Sequence, residues 1–201
     1  MKGQLEIGYL LRASISSLVA GCQVTNIDLP AFGALVRVPL DNGYQTYGLI
    51  HDIHIDDDGL VRQLVTADSI SENIIADNRL HRNVPLEISV LAVGFRHNNQ
   101  ISHLSPPRPP LSLDKIYLCE EQEICEFTTT GRFGYFRHVL RATDTASEEL
   151  LAAHLKQAQL AHENIGDPDW INQATQELII LLRDDYSTLM NVLGAISDGQ
   201  F

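Results

Sequence analysis

Three groups of residues in this chain are of types that do chemistry, and their spacing decides what each could do. Asp52, His54 and Asp56 alternate along an apolar segment, so a strand would project all three from one face. Same-face neighbours on a strand stand roughly 7 Å apart, which keeps three consecutive side chains from converging on one ion. They read as the solvent face of an amphipathic strand, and no metal site is assigned. Arg132, Arg137, His138 and Arg141 form the only basic concentration, on the helix expected just past Gly131. Arg132, Arg137 and Arg141 are the candidate contacts for an anion or an acidic partner. The competing reading is a set of cations near a helix C-terminus that offsets its dipole. Cys22, Cys119 and Cys125 are odd in number and form no C-x-x-C pair, so neither a disulfide framework nor a cysteine zinc site is supported. Three small apolar residues in a reducing cytoplasm fit better.

The motifs that usually announce a reaction are missing. The sequence has no G-x-x-x-x-G-K-S/T loop, no dinucleotide glycine fingerprint after a strand, no G-x-S-x-G elbow and no H-E-x-x-H. No catalytic residue or cofactor is assigned, and the chain is read as a non-enzyme. A hydrolase assembled from dispersed groups such as Asp52, His54 or His138 is the least favoured reading.

Composition narrows the partners. The chain has 201 residues, 44% of them hydrophobic, and a net charge of −12. Up to Thr143 it carries 12 basic and 16 acidic residues, and beyond it 2 and 10, so the C-terminal part is the more acidic. Affinity for nucleic acid comes largely from Lys and Arg displacing condensed counterions, so direct nucleic-acid binding is disfavoured. No stretch approaches the roughly 20 apolar residues of a membrane helix. Val19-Ala20-Gly21-Cys22 has the small-residue pattern that precedes a lipidated cysteine, but Ser14, Ser16 and Ser17 interrupt the apolar run before it, and an ordinary strand is the preferred reading.

The elements that must position these residues divide at Pro106-Pro107-Arg108-Pro109-Pro110, with β-patterned sequence before the block and helix-patterned sequence after it. Strands are expected at 5–11, 18–24, 35–40, 44–56, 60–66 and 86–95, and a short helix at 69–78. Asp41-Asn42-Gly43 supplies the chemistry of a tight hairpin turn. On the 44–56 strand, Leu49, His51, Ile53 and Ile55 are expected on one face and Ile50, Asp52, His54 and Asp56 on the other. The prolines, without an N–H to donate, are expected to be an extended connector at the end of the sheet.

Ile116 to Cys119 reads as one more strand, followed by helices near 120–127, 133–142, 146–164 and 168–197. Thr145-x-x-Glu148 is a capping box for the third of these, and Asp167-Pro168 a cap and first turn for the last. From Ala174, the residues Leu178, Leu182, Tyr186, Leu189 and Leu193 recur at threes and fours, which predicts one long helix or two nearly collinear ones. So long an apolar stripe requires a partner surface. These five residues are the expected interaction surface. The fold class is α+β: a small closed barrel over 1–110, then a helical region over 111–201.

Ile7-Gly8-Tyr9, Gly33-x-Leu35-Val36-Arg37-Val38, Tyr47-Gly48-Leu49-Ile50 and the proline block together resemble the HAS-barrel. That small barrel lies at the N-terminus of HerA-type DNA-translocating ATPases and, in related form, in ATP synthase catalytic and non-catalytic subunits. The likeness spans about residues 5–142 and implies a six- or seven-stranded barrel whose role is subunit contact. The relatives continue into an ATPase domain, whereas this chain continues into acidic helix, so no nucleotide-binding residue carries over. The expected function is a non-catalytic interaction or assembly module, its partner a second copy or a HerA-like ATPase or nuclease subunit. The alternative is binding of a small ligand or single-stranded nucleic acid at the barrel rim through Arg12, Arg37, Tyr44, Tyr47 and Arg96.

Overall fold

The computed structural model describes residues 5–22, 30–41, 43–55, 66, 71–74, 77 and 86–198. Seven strands are present among the described residues: β1 (Glu6–Ala13), β2 (Ser17–Cys22), β3 (Leu35–Pro39), β4 (Tyr44–Ile55), β5 (Leu86–His97), β6 (Gln100–Ser102) and β7 (Lys115–Leu118). Six of them close into a cylinder in the ring order β1, β2, β5, β4, β3, β7 and back to β1, every pair antiparallel. Closure leaves none of the six as a free edge. The seventh, β6, adds to the far end of β5 outside the ring. Most of the strand expected at 60–66 and of the helix expected at 69–78 lies outside the described residues, of which 72–74 are helical.

The proline block does not end the sheet. After β6 the chain runs through residues 106–110 without regular structure and re-enters the barrel as β7, where Ile116 stands opposite Gly8 of β1 and Leu118 opposite Val36 of β3. A segment that cannot donate ladder hydrogen bonds suits this crossing.

Alternation along the strands separates two cores. Ile7, Leu10, Leu18, Val36, Val38, Ile50, Ile88, Val90 and Ile116 fill the barrel. Leu35, Tyr47, Leu49 and Val93 face outward and join a second cluster with the helices. In β4 the register shifts between Ile50 and Asp52, making His51 an extra, unpaired residue. The bulge reverses the expected faces. Ile53 returns to the interior with Ile50, instead of sharing the side of Leu49, because one inserted residue changes the parity of the pleat.

The helices are α1 (Glu121–Thr129), a 3-10 turn (Thr130–Phe133), α2 (Phe136–Leu140), α3 (Ser147–Asn164), α4 (Trp170–Leu181) and α5 (Tyr186–Asp198). Two barrel arginines hold α1 down: Arg37 Nε meets Glu123 Oε1 at 2.8 Å, and Arg96 pairs with Glu126. Glu123 also accepts the Glu120 N–H at 3.2 Å, so the capping box in this chain lies at the start of α1. The box expected at Thr145 does not form. Helix α3 begins two residues later, and Ser147 turns its hydroxyl back to the Val139 carbonyl at 2.9 Å. Asp167 likewise precedes its helix, its carboxylate 3.5 Å from His162 Nδ1 while α4 starts at Trp170.

The long apolar stripe is bent back on itself. Ile171 at the start of α4 and Ile196 near the end of α5 line one cavity with Leu155 and Leu160, whereas 25 residues of straight helix would set them about 37 Å apart. The reversal occupies residues 182–185, where Asp185 accepts the Thr188 N–H at 3.1 Å and its hydroxyl at 2.7 Å and so caps α5. The sequence signal for it is Asp184-Asp185 interrupting the stripe.

Candidate functional site

The reversal decides what the C-terminal stripe can offer. Leu178 and Leu182 are buried with Trp170, Ala174 and Val192 in the helix-side core, so they are not free to meet another molecule. Leu189 packs against the same core and Leu193 is half-buried. Of the five residues expected as an interaction surface, Tyr186 alone is openly exposed, at 71%. Four further apolar residues of these two helices were not expected from the sequence to be exposed: Ile179, Ile180 and Leu181 at the end of α4 and Met190 one turn along α5. A strict three-and-four spacing misses them because Ile179 to Leu181 are consecutive and the inner members of the run had already satisfied the period.

The second candidate is a cleft of about 630 Å³ between the barrel wall and α2. Arg137 and Arg141, one helical turn apart, line it together with His138, His103 and His51. His51 is the extra residue of the β4 bulge and keeps the outward side of Leu49, which is the side of this cleft. Arg132 does not belong to the group. It sits in the 3-10 turn at φ 47°, where the chain adopts the left-handed conformation, and not on the helix that carries the other two.

Hydrogen bonds to carbonyls assign the histidine tautomers in the cleft. His138 Nε2 lies 2.9 Å from the His103 carbonyl and His103 Nε2 lies 3.0 Å from the Phe127 carbonyl, so both nitrogens carry the proton. His103 Nδ1 is then a buried acceptor without a hydrogen-bond partner, lying against Gly131. Burial lowers the pKa of His103 and that of His51, which keeps both rings neutral near pH 7.

The residues offered for rim binding are engaged within the chain. Arg37 and Arg96 hold α1, and Arg12 pairs with Glu87 at 3.2 Å. Tyr47 is fully buried and tilted against Phe127, while Tyr44 stacks on His97 with centroids 3.9 Å apart. Asp52 and His54 stand 3.2 Å apart on the outer face of β4 and do not line the cleft that holds His138. Asp56 lies outside the described residues. No group of three metal-ligating side chains gathers among the described residues. Cys22, Cys119 and Cys125 are free and buried, and desolvation raises each thiol above its ordinary pKa. Among the described residues no helix is long and apolar enough to cross a membrane.

The fold is therefore a closed six-stranded antiparallel barrel with a helical layer on one side of its wall. No protein-family model matches this chain, and the search of curated proteins found no match to it.

Proposed function

We propose that this chain is a non-catalytic protein–protein interaction module, an assembly component in which the barrel is a rigid scaffold and the α4–α5 corner the docking face. The observation that supports this reading is the exposure of Ile179, Ile180, Leu181, Tyr186 and Met190 at 43%, 55%, 39%, 71% and 48%, beside the charged Arg183, Asp184 and Asp185. Large apolar side chains left exposed on two consecutive helices, with charged residues between them in the chain, are a composition that suits a protein contact. A HAS-like role in subunit contact agrees with it. The partner is a second copy of the chain, with a HerA-like ATPase or nuclease subunit as the heterologous alternative.

Light scattering across a concentration series tests the reading. The chain is expected to exceed its monomer mass of 22.4 kDa, and Ile180→Glu with Tyr186→Glu to return it to that mass without loss of helical signal. A strict monomer at every concentration, with nothing retained on the immobilised chain from its host lysate, removes the basis for the proposal.

A further inference from the structure

We infer that the cleft between the barrel and α2 is a binding site for a phosphate monoester of a small organic molecule, held by Arg137 and Arg141. The chain is strongly acidic, and Arg12, Arg37, Arg96, Lys115 and Arg183 each have a carboxylate partner. Arg137 and Arg141 have none among the described residues, although both are exposed, the first on α2 and the second at its C-terminal cap, and line the same cleft. Among the described residues Asp144 is the one carboxylate on that lining, against two guanidinium groups.

The geometry suits a dianion. Residues four apart on a helix are neighbours, so both side chains can reach one ligand group. Arg137 spends its Nε on the Gly134 carbonyl at 3.1 Å, which fixes the stem of the side chain and leaves the terminal amino groups of the fork free to donate. His51 from β4 lines the same cleft, as does His138, whose Nε2 is already committed to a carbonyl. A volume of about 630 Å³ falls in the range of small-molecule sites and is far larger than a phosphate group. Leu91 and Leu104 supply an apolar wall for the organic body of the ligand.

The test titrates the full chain with ribose 5-phosphate, with ribose as the uncharged control, reading the thermal midpoint and the imidazole NMR signals of His51, His138 and His97. Saturable binding of the phosphorylated sugar alone, with shifts at His51 and His138 and none at His97, which ends β5 opposite Tyr44, is expected. Arg137→Ala and Arg141→Ala should each weaken it by about tenfold, the loss of one charge-assisted contact, with unchanged circular dichroism. The idea fails if millimolar ribose 5-phosphate leaves those signals unmoved, if ribose acts equally, or if binding survives in the double variant. None of these results depends on the α4–α5 corner, so the two proposals stand or fall separately.

Discussion

The imidazole of His154 on α3 ties the Gly33 carbonyl to the Tyr135 hydroxyl: Nδ1 donates to Gly33 at 3.2 Å, and Nε2 accepts from Tyr135 at 3.2 Å. One side chain thus joins the loop before β3, the turn before α2 and the long helix. The neutral ring is favoured because the site is fully buried, where a second ring proton would place a charge away from water.

Burial pushes the His154 pKa from 6.5 down to about 4, with the Gly33 contact acting weakly in the other direction. The unfolded chain takes up this proton near pH 6.5 and the folded chain resists it until about pH 4. The contribution to stability is therefore complete above pH 6.5 and is lost as the pH falls toward 4, by roughly 3 kcal/mol in all. His162, stacked on Trp170 and also lowered by burial, acts in the same direction. Urea midpoints at pH 7.5 and 4.5 should separate clearly, and His154→Gln should narrow the gap. Equal gaps in the two proteins would falsify this assignment.

Gly33 has φ +82°, and a Cβ placed there would meet the Ala153 Cβ at 2.7 Å and the His154 amide at 2.8 Å. Gly43 has φ +76° with nothing within 4 Å. Both substitutions by alanine carry the left-handed backbone penalty of about 1 kcal/mol, but only Gly33→Ala also drives α3 off the barrel, adding roughly 1–3 kcal/mol. Chemical denaturation of the two variants measures the difference, and equal losses would show that α3 yields without resistance.

Arg37 is 5% exposed and faces Glu123, whose other role is to cap α1. Removing the arginine strands a carboxylate beneath the helix, and Arg37→Ala should lower stability by about 3 kcal/mol. The exposed pair of Arg12 and Glu87 should contribute under about 1 kcal/mol. A double-mutant cycle on each pair gives the comparison, and a coupling at Arg37 no larger than at Arg12 contradicts it.

Leu178 and Ile180 lie two residues apart and face opposite ways, one fully buried and the other 55% exposed. Leu178→Ala should reduce stability by about 2–5 kcal/mol, and Ile180→Ala by about 0.5 kcal/mol or less in the monomer. Thermal melts at low protein concentration separate the two roles.

Local pattern carried much of this architecture into view. The barrel strands at 35–40 and 86–95 and the helix at 146–164 have the right period and propensity, and the closed barrel followed by helices was legible from them. What escaped was set by pairing between distant segments. The bulge at His51 is defined only against β5, and nothing in Leu49-Ile50-His51-Asp52 says that one residue will go unpaired. Arg132 at φ 47° sits in a stretch that reads as helix, between Gly131, also left-handed, and Phe133, which is buried in the helix-side core. The cleft combines residues from positions 16 to 145, so its two arginines were legible and its histidines at 51 and 103 were not.

Strand β7 is the stave between β1 and β3, and it is made after every other part of the cylinder. A nascent chain that has reached Pro110 holds an open, curled sheet with two raw borders, and the wall is sealed only when residue 118 emerges. Any product cut at the proline block, by protease or by design, would carry those borders permanently and be prone to join another chain through them.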